Sequence, residues 1–302
     1  MNKRYLALSL SFLLLPVVLH ARTEGHFDRT LQVSGGVSLD VSTGSGDIVV
    51  KAGGSNQVVV HGTIHSSNWI FGGSSDSAVQ QVESNPPIQQ SGNSIRIGYN
   101  LPEDVKRHVA ISYEITVPAD TSLQAHSGSG NVEVAGVRNG VQAQTGSGDI
   151  RLRDLGSRLQ AQTGSGNIRG EDISAPFSAQ TGSGDIEASL MGSGDVDVHT
   201  GSGTIRVRGI KGGMRARTGS GDIQADGNVA NGWQLHSGSG NIRMAVGSSG
   251  FNLDAHTSSG SIHSDLPITV QGSITPNRLK GSVRGGGPEV EVSTGSGDVD
   301  IR

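Results

Sequence analysis

The sequence contains no cysteine and very few aromatic residues. Without cysteine, the 302-residue chain has no disulfide, no thiolate metal site and no thiol that could carry a lipid. Aromatic residues make up only 3% of the chain, which disfavours a globular core built on large side chains. There are 47 glycines, and their regular spacing indicates turns rather than disorder. A thin core of Ile, Val, Leu, Ala and Thr side chains is therefore expected.

The chain also lacks an apolar run long enough for a transmembrane helix. Residues 5–19 are largely apolar, but about 15 residues is short of the ~20 that cross a bilayer. This run follows Lys3 and Arg4 and precedes Ala21, a small residue suited to cleavage. We therefore expect a secretory signal peptide at 1–21 and a mature domain at 22–302, with an uncleaved membrane anchor as the weaker alternative. The mature protein is then expected in the periplasm, outside the cell or on the cell surface, with no integral membrane segment.

Charge argues against nucleic acid as a partner. Without Lys3 and Arg4 the chain carries 21 basic and 27 acidic residues, a net charge near −6. No basic cluster with interleaved aromatic residues offsets this acidity.

The dominant feature is a segment of the form Thr/Ser-Gly/Ser-Ser-Gly-polar-Ile/Val, which recurs ten times. Most neighbouring copies lie 18 to 20 residues apart. Repetition this close is typical of a stacked array, in which each unit buries its apolar face against its neighbours. The copies begin at Thr43, Ser127, Thr145, Thr163, Thr181, Thr200, Thr218, Ser237, Thr257 and Thr294.

Each copy lies between two runs of alternating residues. The run before it, such as residues 159–163, reads large apolar, polar, small apolar, polar, hydroxyl, and the run after it begins with an inward Ile or Val such as Ile168. This period of two predicts two half-buried strands per unit. We therefore predict an all-β fold, a single-chain β-solenoid of about ten two-strand coils with 18 to 20 residues per repeat. A meander of antiparallel hairpins is the alternative.

A half-length copy at residues 192–196 indicates what the motif does. It lies between Thr181 and Thr200, whose separation is still 19 residues, so it must occupy the opposite corner of one coil. The motif is therefore interpreted as a generic corner rather than a docking site. We expect its Asp or Asn to accept hydrogen bonds from N–H groups of the turn, and its threonines to form a ladder in which each hydroxyl bonds the next.

Two excursions interrupt the period, at about 61–119 and 264–287. Within the first, residues 58–64, 94–99 and 108–117 resemble strands, and residues 76–83 fit either a short helix or a mobile loop. The simplest interpretation is a hairpin excursion near each end. Because the ends of a solenoid expose strand edges, we expect the two excursions to be caps.

The pattern disfavours metal sites and catalytic sites, so no catalytic, cofactor or metal residue is assigned. Calcium would require repeated acids, but Asn, Thr or Ser replaces the acid in half of the copies. His236 and His256 are expected on adjacent coils, close enough to share a metal, yet without a third ligand. The outward charged column has alternating signs, which is typical of cross-strand pairing. It comprises Glu133, Arg151, Arg169, Glu187, Arg206, Gln224 and Arg243.

These motifs together resemble a bacterial family of exported putative adhesins with β-strand repeats. The resemblance rests on the TGSGDI corners, the ITVPAD run at 115–120 and the GGGP segment at 285–288 before a final TGSGDV copy, and it covers about 31–302. It implies a β-solenoid of the cell envelope and a role in adhesion. The leading hypothesis is a non-enzymatic, exported structural or adhesive module, with a polysaccharide or an envelope protein as partner and with self-association. The alternative is a glycan-active lyase or hydrolase, which would require a non-repetitive groove of acids.

Overall fold

The computed structural model describes residues 24–54, 56–66, 74–174, 176–270 and 275–302. Within these ranges the chain forms 27 strands and two short helices, which confirms the all-β prediction. The proposed signal peptide at 1–21 lies outside the described residues. In chain order the elements are β1 (Glu24–Gln32), β2 (Ser38–Thr43), β3 (Ile48–Ala52), β4 (Gln57–Ser66), α1 (Ser74–Ser84), β5 (Ile88–Ser91), β6 (Ser94–Ile97), α2 (Glu103–Lys106), β7 (Val109–Val117), β8 (Ser122–Ser127), β9 (Val132–Ala135), β10 (Val141–Thr145), β11 (Ile150–Leu155), β12 (Leu159–Thr163), β13 (Ile168–Ile173), β14 (Phe177–Thr181), β15 (Ile186–Leu190), β16 (Val196–Ser202), β17 (Ile205–Ile210), β18 (Met214–Ser220), β19 (Ile223–Gly227), β20 (Trp233–Ser239), β21 (Ile242–Val246), β22 (Phe251–Ser259), β23 (Ile262–Ser264), β24 (Ile268–Val270), β25 (Arg278–Val283), β26 (Glu289–Ser296) and β27 (Val299–Ile301).

The described strands form two long sheets, and each regular coil contributes one strand to each sheet. Sheet A has 13 strands in the order β1-β4-β7-β3-β9-β11-β13-β15-β17-β19-β21-β27-β23. Sheet B has 14, in the order β24-β25-β22-β26-β20-β18-β16-β14-β12-β10-β8-β2-β6-β5. In the regular part the neighbours are parallel and equivalent residues are in register, as for Thr145 and Thr163. This arrangement confirms the β-solenoid and rules out the hairpin meander.

The core lies between the two sheets and follows the predicted facing. Leu159 and Ala161 in sheet B are completely buried, and Ile168 in sheet A is 1% exposed, whereas Arg169 points outward. Alternation places every second side chain of a strand on the same face, so each coil stacks its apolar residues on those of the next.

The repeated hydroxyls link the coils, but not in the predicted way. Thr163 Oγ1 donates to the carbonyl of Gly148 on the preceding coil at 2.9 Å and accepts the N–H of Gly166 at 3.1 Å. Thr181 makes the same pair of bonds with Gly166 and Gly184. The expected ladder of hydroxyl bonding hydroxyl is therefore wrong, because a glycine carbonyl of the neighbouring corner accepts the hydrogen of each of these hydroxyls. Later copies such as Thr200 make only this donated bond.

The acid or amide after each glycine pair also bonds between coils. Asp149 Oδ1 accepts the N–H of Asn167 at 2.9 Å, and Asn167 Oδ1 accepts the N–H of Asp185 at 2.9 Å. The predicted bonds to N–H groups within the same turn are thus corrected to bonds with the equivalent residue of the next coil. Because only a side-chain oxygen is needed, Asp and Asn are interchangeable here.

The corner glycines are needed mainly because successive corners approach closely. A Cβ on Gly166 would lie 1.9 Å from the carbonyl oxygen of Gly148, too close for any other residue without a shift of the backbone. Positive φ angles, which also favour glycine, occur at the second glycine of later copies such as Gly221.

At both ends, the order of the coils in space differs from their order in the sequence. The coil of β2 and β3 lies between β8–β9 and the later strands β6–β7, and the coil of β26 and β27 lies between β20–β21 and β22–β23. The first and the last repeats of the sequence therefore do not form the ends of the two-strand stack. Each of them has one further coil stacked on its outer side.

The first excursion is more than the predicted hairpin. It contains an extra coil, because β6 and β7 pair in parallel with β2 and β3, in register at Leu39 with Ile95 and at Ile48 with Tyr113. This coil was not evident from the sequence, because the connection between β6 and β7 contains α2 instead of the glycine corner. Strands β1, β4 and β5 then cap the end in antiparallel pairing, and α1, which confirms the helical alternative, buries Val79 and Val82.

The second excursion is a lighter cap, as expected from its position. Strand β25 pairs antiparallel with β22, and β24 pairs antiparallel with β25. Its side chains are less buried than those of the first cap, since Ile268 and Leu279 are only partly covered.

Candidate binding groove

The corner opposite the Gly-Ser-Gly column carries an open cavity. The half-length copy at 192–195 lies here, between β15 and β16, which confirms that the motif can build either corner. Asp195 Oδ1 accepts the N–H of Gly213 on the next coil at 2.8 Å and also contacts Asn231 Nδ2 at 3.3 Å. The same side-chain-to-backbone device thus holds successive turns together on this side.

The cavity, here called the opposite-corner groove, has a volume of about 580 Å³. It crosses six neighbouring strands of sheet B, from β12 to β26, a length of about 24 Å at the usual strand spacing. Gly213 and Gly232 lie in the turns along it and contribute no side chain, which leaves the space open. Its polar lining comprises Arg158, Ser178, Asp195, Asp197, Arg215, Asn231, Gln234, Glu289 and Glu291.

The groove is polar and moderately acidic. Four carboxylates face two guanidinium groups along its length. Arg215 lies 3.7 Å from Asp197 and donates to Gln234 at 3.2 Å, so these three side chains are linked across three coils. Among the described residues, Glu289 and Glu291 have no ion-pair or side-chain hydrogen-bond partner, which leaves this end of the groove with free acceptors.

The aromatic residues at the groove do not form its surface. Phe177 is 1% exposed and Trp233 is completely buried, with its indole N–H donated to the carbonyl of Gly212 at 3.0 Å. A ligand would therefore meet hydrogen-bonding groups rather than a stacking platform.

A second polar depression of about 420 Å³ lies on the outer face of sheet B, at the Gly-Ser-Gly side. It is lined by a column of amides, Gln144, Gln162 and Gln180, and ends at His199. Gln144 donates to Gln162 at 3.2 Å, so the amides bond along the column. Sheet B thus presents an uncharged polar surface over these coils.

The outer face of sheet A carries the charged column, and among its predicted members only Arg169 and Glu187 pair with each other across strands. Arg169 lies 3.1 Å from Glu187 on the next coil, and Arg243 lies 3.4 Å from Asp300. Arg151 departs from the pattern, because it pairs with Asp149 near its own strand at 3.1 Å. These exposed pairs each contribute roughly 0.2 to 1 kcal/mol and describe a solvated surface rather than a catalytic site.

The predicted proximity of His236 and His256 is wrong. Strand β26 lies between their strands and places Ser293 between them in register. His236 Nδ1 instead contacts Ser293 Oγ at 2.9 Å. Two strand spacings therefore separate the histidines, about 9.6 Å along the sheet, rather than the single spacing that was expected.

Neither a metal cluster nor a membrane helix occurs in the described ranges. No group of three or more His, Asp or Glu side chains there could hold a metal ion. Neither described helix has the length and apolar character needed to cross a membrane.

The groove lies along the variable turns that separate one Gly-Ser-Gly corner from the next. Nothing in the sequence indicated that Glu289 and Glu291 would line it. These residues reach the groove only because β26 inserts beside β20, and the order of the copies in the sequence carries no signal of that insertion.

Comparison with known proteins adds the following findings. No curated protein matches the chain. Among solved structures, the chain is similar to a putative cell adhesion protein from Clostridium sporogenes, at 13% identity over 92% of this chain and 99% of that one, with a TM-score of 0.26. It is also similar to a putative adhesin from Bacteroides fragilis, at 11% identity over 92% and 97% of the two chains, with a TM-score of 0.37. A putative lipid binding protein from Parabacteroides distasonis is similar at 12% identity over 92% and 97%, with a TM-score of 0.36.

A family model supplies the assignment. The Toastrack DUF4097 model matches residues 38–302, which include every copy of the repeat. The chain therefore belongs to the Toastrack DUF4097 family.

Proposed function

We propose that this protein is a non-enzymatic, exported structural or adhesive module of the bacterial cell envelope, which binds a neutral polysaccharide along the opposite-corner groove. The observation that carries the proposal is the groove itself, which is long, open and lined by side chains that both donate and accept hydrogen bonds. Its volume lies within the ~300 to 1,000 Å³ typical of ligand sites.

The chemistry of the lining supports a sugar polymer over the other partner classes. Hydroxyl groups of a polysaccharide can donate to carboxylates such as Glu291 and accept from groups such as Arg158 and Asn231. The excess of carboxylates repels anionic polymers, including nucleic acid and acidic polysaccharides.

The acids of the groove are poorly arranged for glycan cleavage, which supports a binding role. Asp195 is engaged by Gly213 and Asn231, and Asp197 is paired with Arg215. The free acids, Glu289 and Glu291, project from the same face of one strand, β26, and so would lie on one side of a bound sugar. Glycosidases instead place their two carboxyl groups on either side of the scissile bond.

Binding can be tested by titrating a soluble neutral glucan against the purified mature protein and comparing alginate as the acidic polymer. We expect binding of the glucan only, weakened about tenfold by the double substitution Asn231→Ala and Glu291→Ala. Glu133→Ala is the matched control, because it removes an outward acid from the opposite sheet. Unchanged affinity in the double variant would refute the groove as the site.

The non-enzymatic part has a separate test. Neutral and acidic polysaccharides are incubated with the wild-type protein and with a variant carrying Glu289→Gln and Glu291→Gln, and chain length is followed by size-exclusion chromatography. We expect no shortening by either protein. Depolymerisation that disappears in the variant would favour the glycan-active alternative.

Export is tested through the N-terminus. We expect protein recovered from the periplasm or medium to begin at Arg22, and deletion of residues 2–21 to retain the protein in the cytoplasm. Recovery of an intact N-terminus in a membrane fraction would favour the uncleaved anchor.

A further inference from the structure

Residues 288–302 occupy a slot one strand wide inside the solenoid. Strand β26 pairs in parallel with β20 on one side and with β22 on the other, and β27 pairs likewise with β21 and β23. In the described sheets, β20 has no hydrogen-bonded contact with β22, nor β21 with β23. The inserted segment is thus the sole bridge between these two coils within those sheets.

The corner bonds continue through the inserted segment in both directions. Thr294 Oγ1 donates to the carbonyl of Gly240 at 2.8 Å, and Thr257 Oγ1 donates to that of Gly297 at 2.9 Å. Asp298 continues the bonds that Asp149 and Asn167 make between coils, because its side-chain Oδ1 accepts the backbone N–H of Ser261 at 2.8 Å. The slot therefore recognises the segment through the repeat chemistry of its two neighbours.

The inward side chains of the segment fill the core as completely as those of the regular coils. Val292, Val299 and Ile301 are completely buried, and Val290 is 1% exposed. A chain that leaves the slot would expose these four side chains and two strand edges on each sheet, so an empty slot would bind another copy of the same segment strongly.

The connection that carries the chain into the slot has the properties of a hinge. Four consecutive residues, Arg284 to Gly287, have positive φ angles. Arg284 anchors the turn through Nη1, which donates to the carbonyl of Ser249 at 3.2 Å, while Gly285 is surrounded by open space. The hydrogen bonds in the slot would be the same if residues 288–302 came from another chain.

We propose that the slot between β20–β21 and β22–β23 is a strand-accepting site, and that its partner is residues 288–302 of a second copy of this chain. Exchange of the segments would join two solenoids without any new kind of contact, as in domain swapping. This inference concerns self-association and does not rest on the proposed function, although the segment carries Glu289 and Glu291 of the opposite-corner groove.

The site is tested in the full-length chain with a protease recognition sequence inserted after Gly285. After cleavage, the protein is incubated with a labelled peptide of residues 286–302, and uptake is followed by size-exclusion chromatography with fluorescence detection. We expect the folded, cleaved protein to exchange its own segment for the peptide, and a peptide with Val290→Asp and Val292→Asp to bind about 100-fold more weakly or worse. Absence of uptake by a protein that stays folded by circular dichroism, or equal uptake of the two peptides, would overturn the proposal.

The second copy is tested by shortening the hinge. Deletion of Gly285 and Gly286 prevents the segment from returning to its own slot, so we expect a shift to the mass of a dimer relative to the wild type in light scattering. Adding Val290→Asp and Val292→Asp to this deletion should abolish the shift. A hinge-shortened protein with the mass of the wild type would show that a second copy does not serve as the donor.

Discussion

The corners at Thr43 and Thr163 have nearly the same sequence but different surroundings. Beneath Thr163 lies another Gly-Ser-Gly corner, and the hydroxyl both donates to Gly148 and accepts from Gly166. Beneath Thr43 lies the extra coil β6–β7, which lacks the motif, and the partly exposed hydroxyl donates to the carbonyl of Ile111 at 2.7 Å. Both hydroxyls thus bond a carbonyl of the coil beneath, and only Thr163 also accepts an N–H of its own corner, so nearly equal sequences need not make equal sets of bonds.

Placing a charge in the core should lower stability equally in the first coil and in the regular array. Ile48 is fully buried in the first coil and Ile168 nearly so in the array, so Ile48→Asp and Ile168→Asp should each lower the free energy of unfolding by more than about 4 kcal/mol. Urea denaturation or failure to obtain soluble protein would reveal this loss. Arg169→Ser is the control, with a change of at most ~1 kcal/mol, and equal effects of the substitutions at 168 and 169 would refute the assigned facing.

Alanine at the corner glycines should separate the two regions sharply. A Cβ at Gly164 would lie 2.4 Å from the carbonyl oxygen of Gly146 on the coil beneath, so Gly164→Ala should cost about 3 kcal/mol or more, as overpacking does. Gly44 is the equivalent glycine of the first coil, but a Cβ there would have no atom within 4 Å, so Gly44→Ala should be neutral or stabilise by up to ~1 kcal/mol. Chemical denaturation of both variants tests this difference, and a similar loss at both glycines would contradict the dependence on the corner beneath.

Most of the array was predictable from the sequence because its information is local. The alternation in 159–163 fixes which side chains face inward, and the recurring glycine corner fixes where each strand ends. The half-length copy at 192–196 favoured a coil with two corners over a meander of hairpins, which the parallel pairing of the strands then excluded.

The ends were less predictable because their information is long-range. Nothing near Val290 distinguishes a strand that follows β22 from one that inserts beside β20. The same uncertainty led to the incorrect placement of His236 next to His256 and concealed the acids of the groove. The coil of β6 and β7 was missed for a different reason. Residues 98–108 take the place of the glycine corner that marks each of the remaining coils.

Loss of the corner hydroxyl should also cost more stability in the array than in the first coil, but the difference should be smaller than for the glycines. Thr163→Val keeps the shape but leaves the Gly148 carbonyl and the Gly166 N–H without their partner, at a cost of roughly 2 to 3 kcal/mol. Thr43→Val removes one bond at a partly exposed position and should cost about 1 kcal/mol. Thermal unfolding of the two variants measures the ratio, and equal shifts in Tm would argue against the role of the second bond.

The Asp and Asn residues that follow the glycine corners bond the backbone N–H of the next coil through a side-chain oxygen. Stability should therefore fall when this oxygen is removed, but not when only the charge is removed. Asp149→Ala removes the acceptor for the N–H of Asn167 and should cost about 1 kcal/mol, while Asp149→Asn should change stability by less than ~0.5 kcal/mol. The same comparison at Asp47, which accepts the N–H of Asn131 at 2.7 Å, should give the same result, because this series of bonds begins in the first coil. A large loss for the asparagine variants in urea denaturation would instead indicate that the corner requires a charge.

The smallest expected effect is a pH dependence at the contact between Tyr99 and Asp40. Asp40 occupies the column in which the next three coils have glutamine, and it accepts the phenol O–H of Tyr99 at 2.5 Å. Burial, reinforced by this bond and by the charge of Asp40, raises the pKa of Tyr99 to about 12. Since the pKa in the unfolded chain is near ~10, folding favours the neutral phenol, and this contribution to stability is complete below pH ~10 and is lost as the pH rises through about 12. Over this interval the stability of the wild type should fall relative to that of Tyr99→Phe, and Asp40→Asn should lower the pKa of Tyr99 in a titration of tyrosinate absorbance. If Tyr99 ionised at the same pH in the Asp40→Asn variant as in the wild type, burial alone would account for the shift, and Asp40 would not distinguish the first coil from the array in this respect.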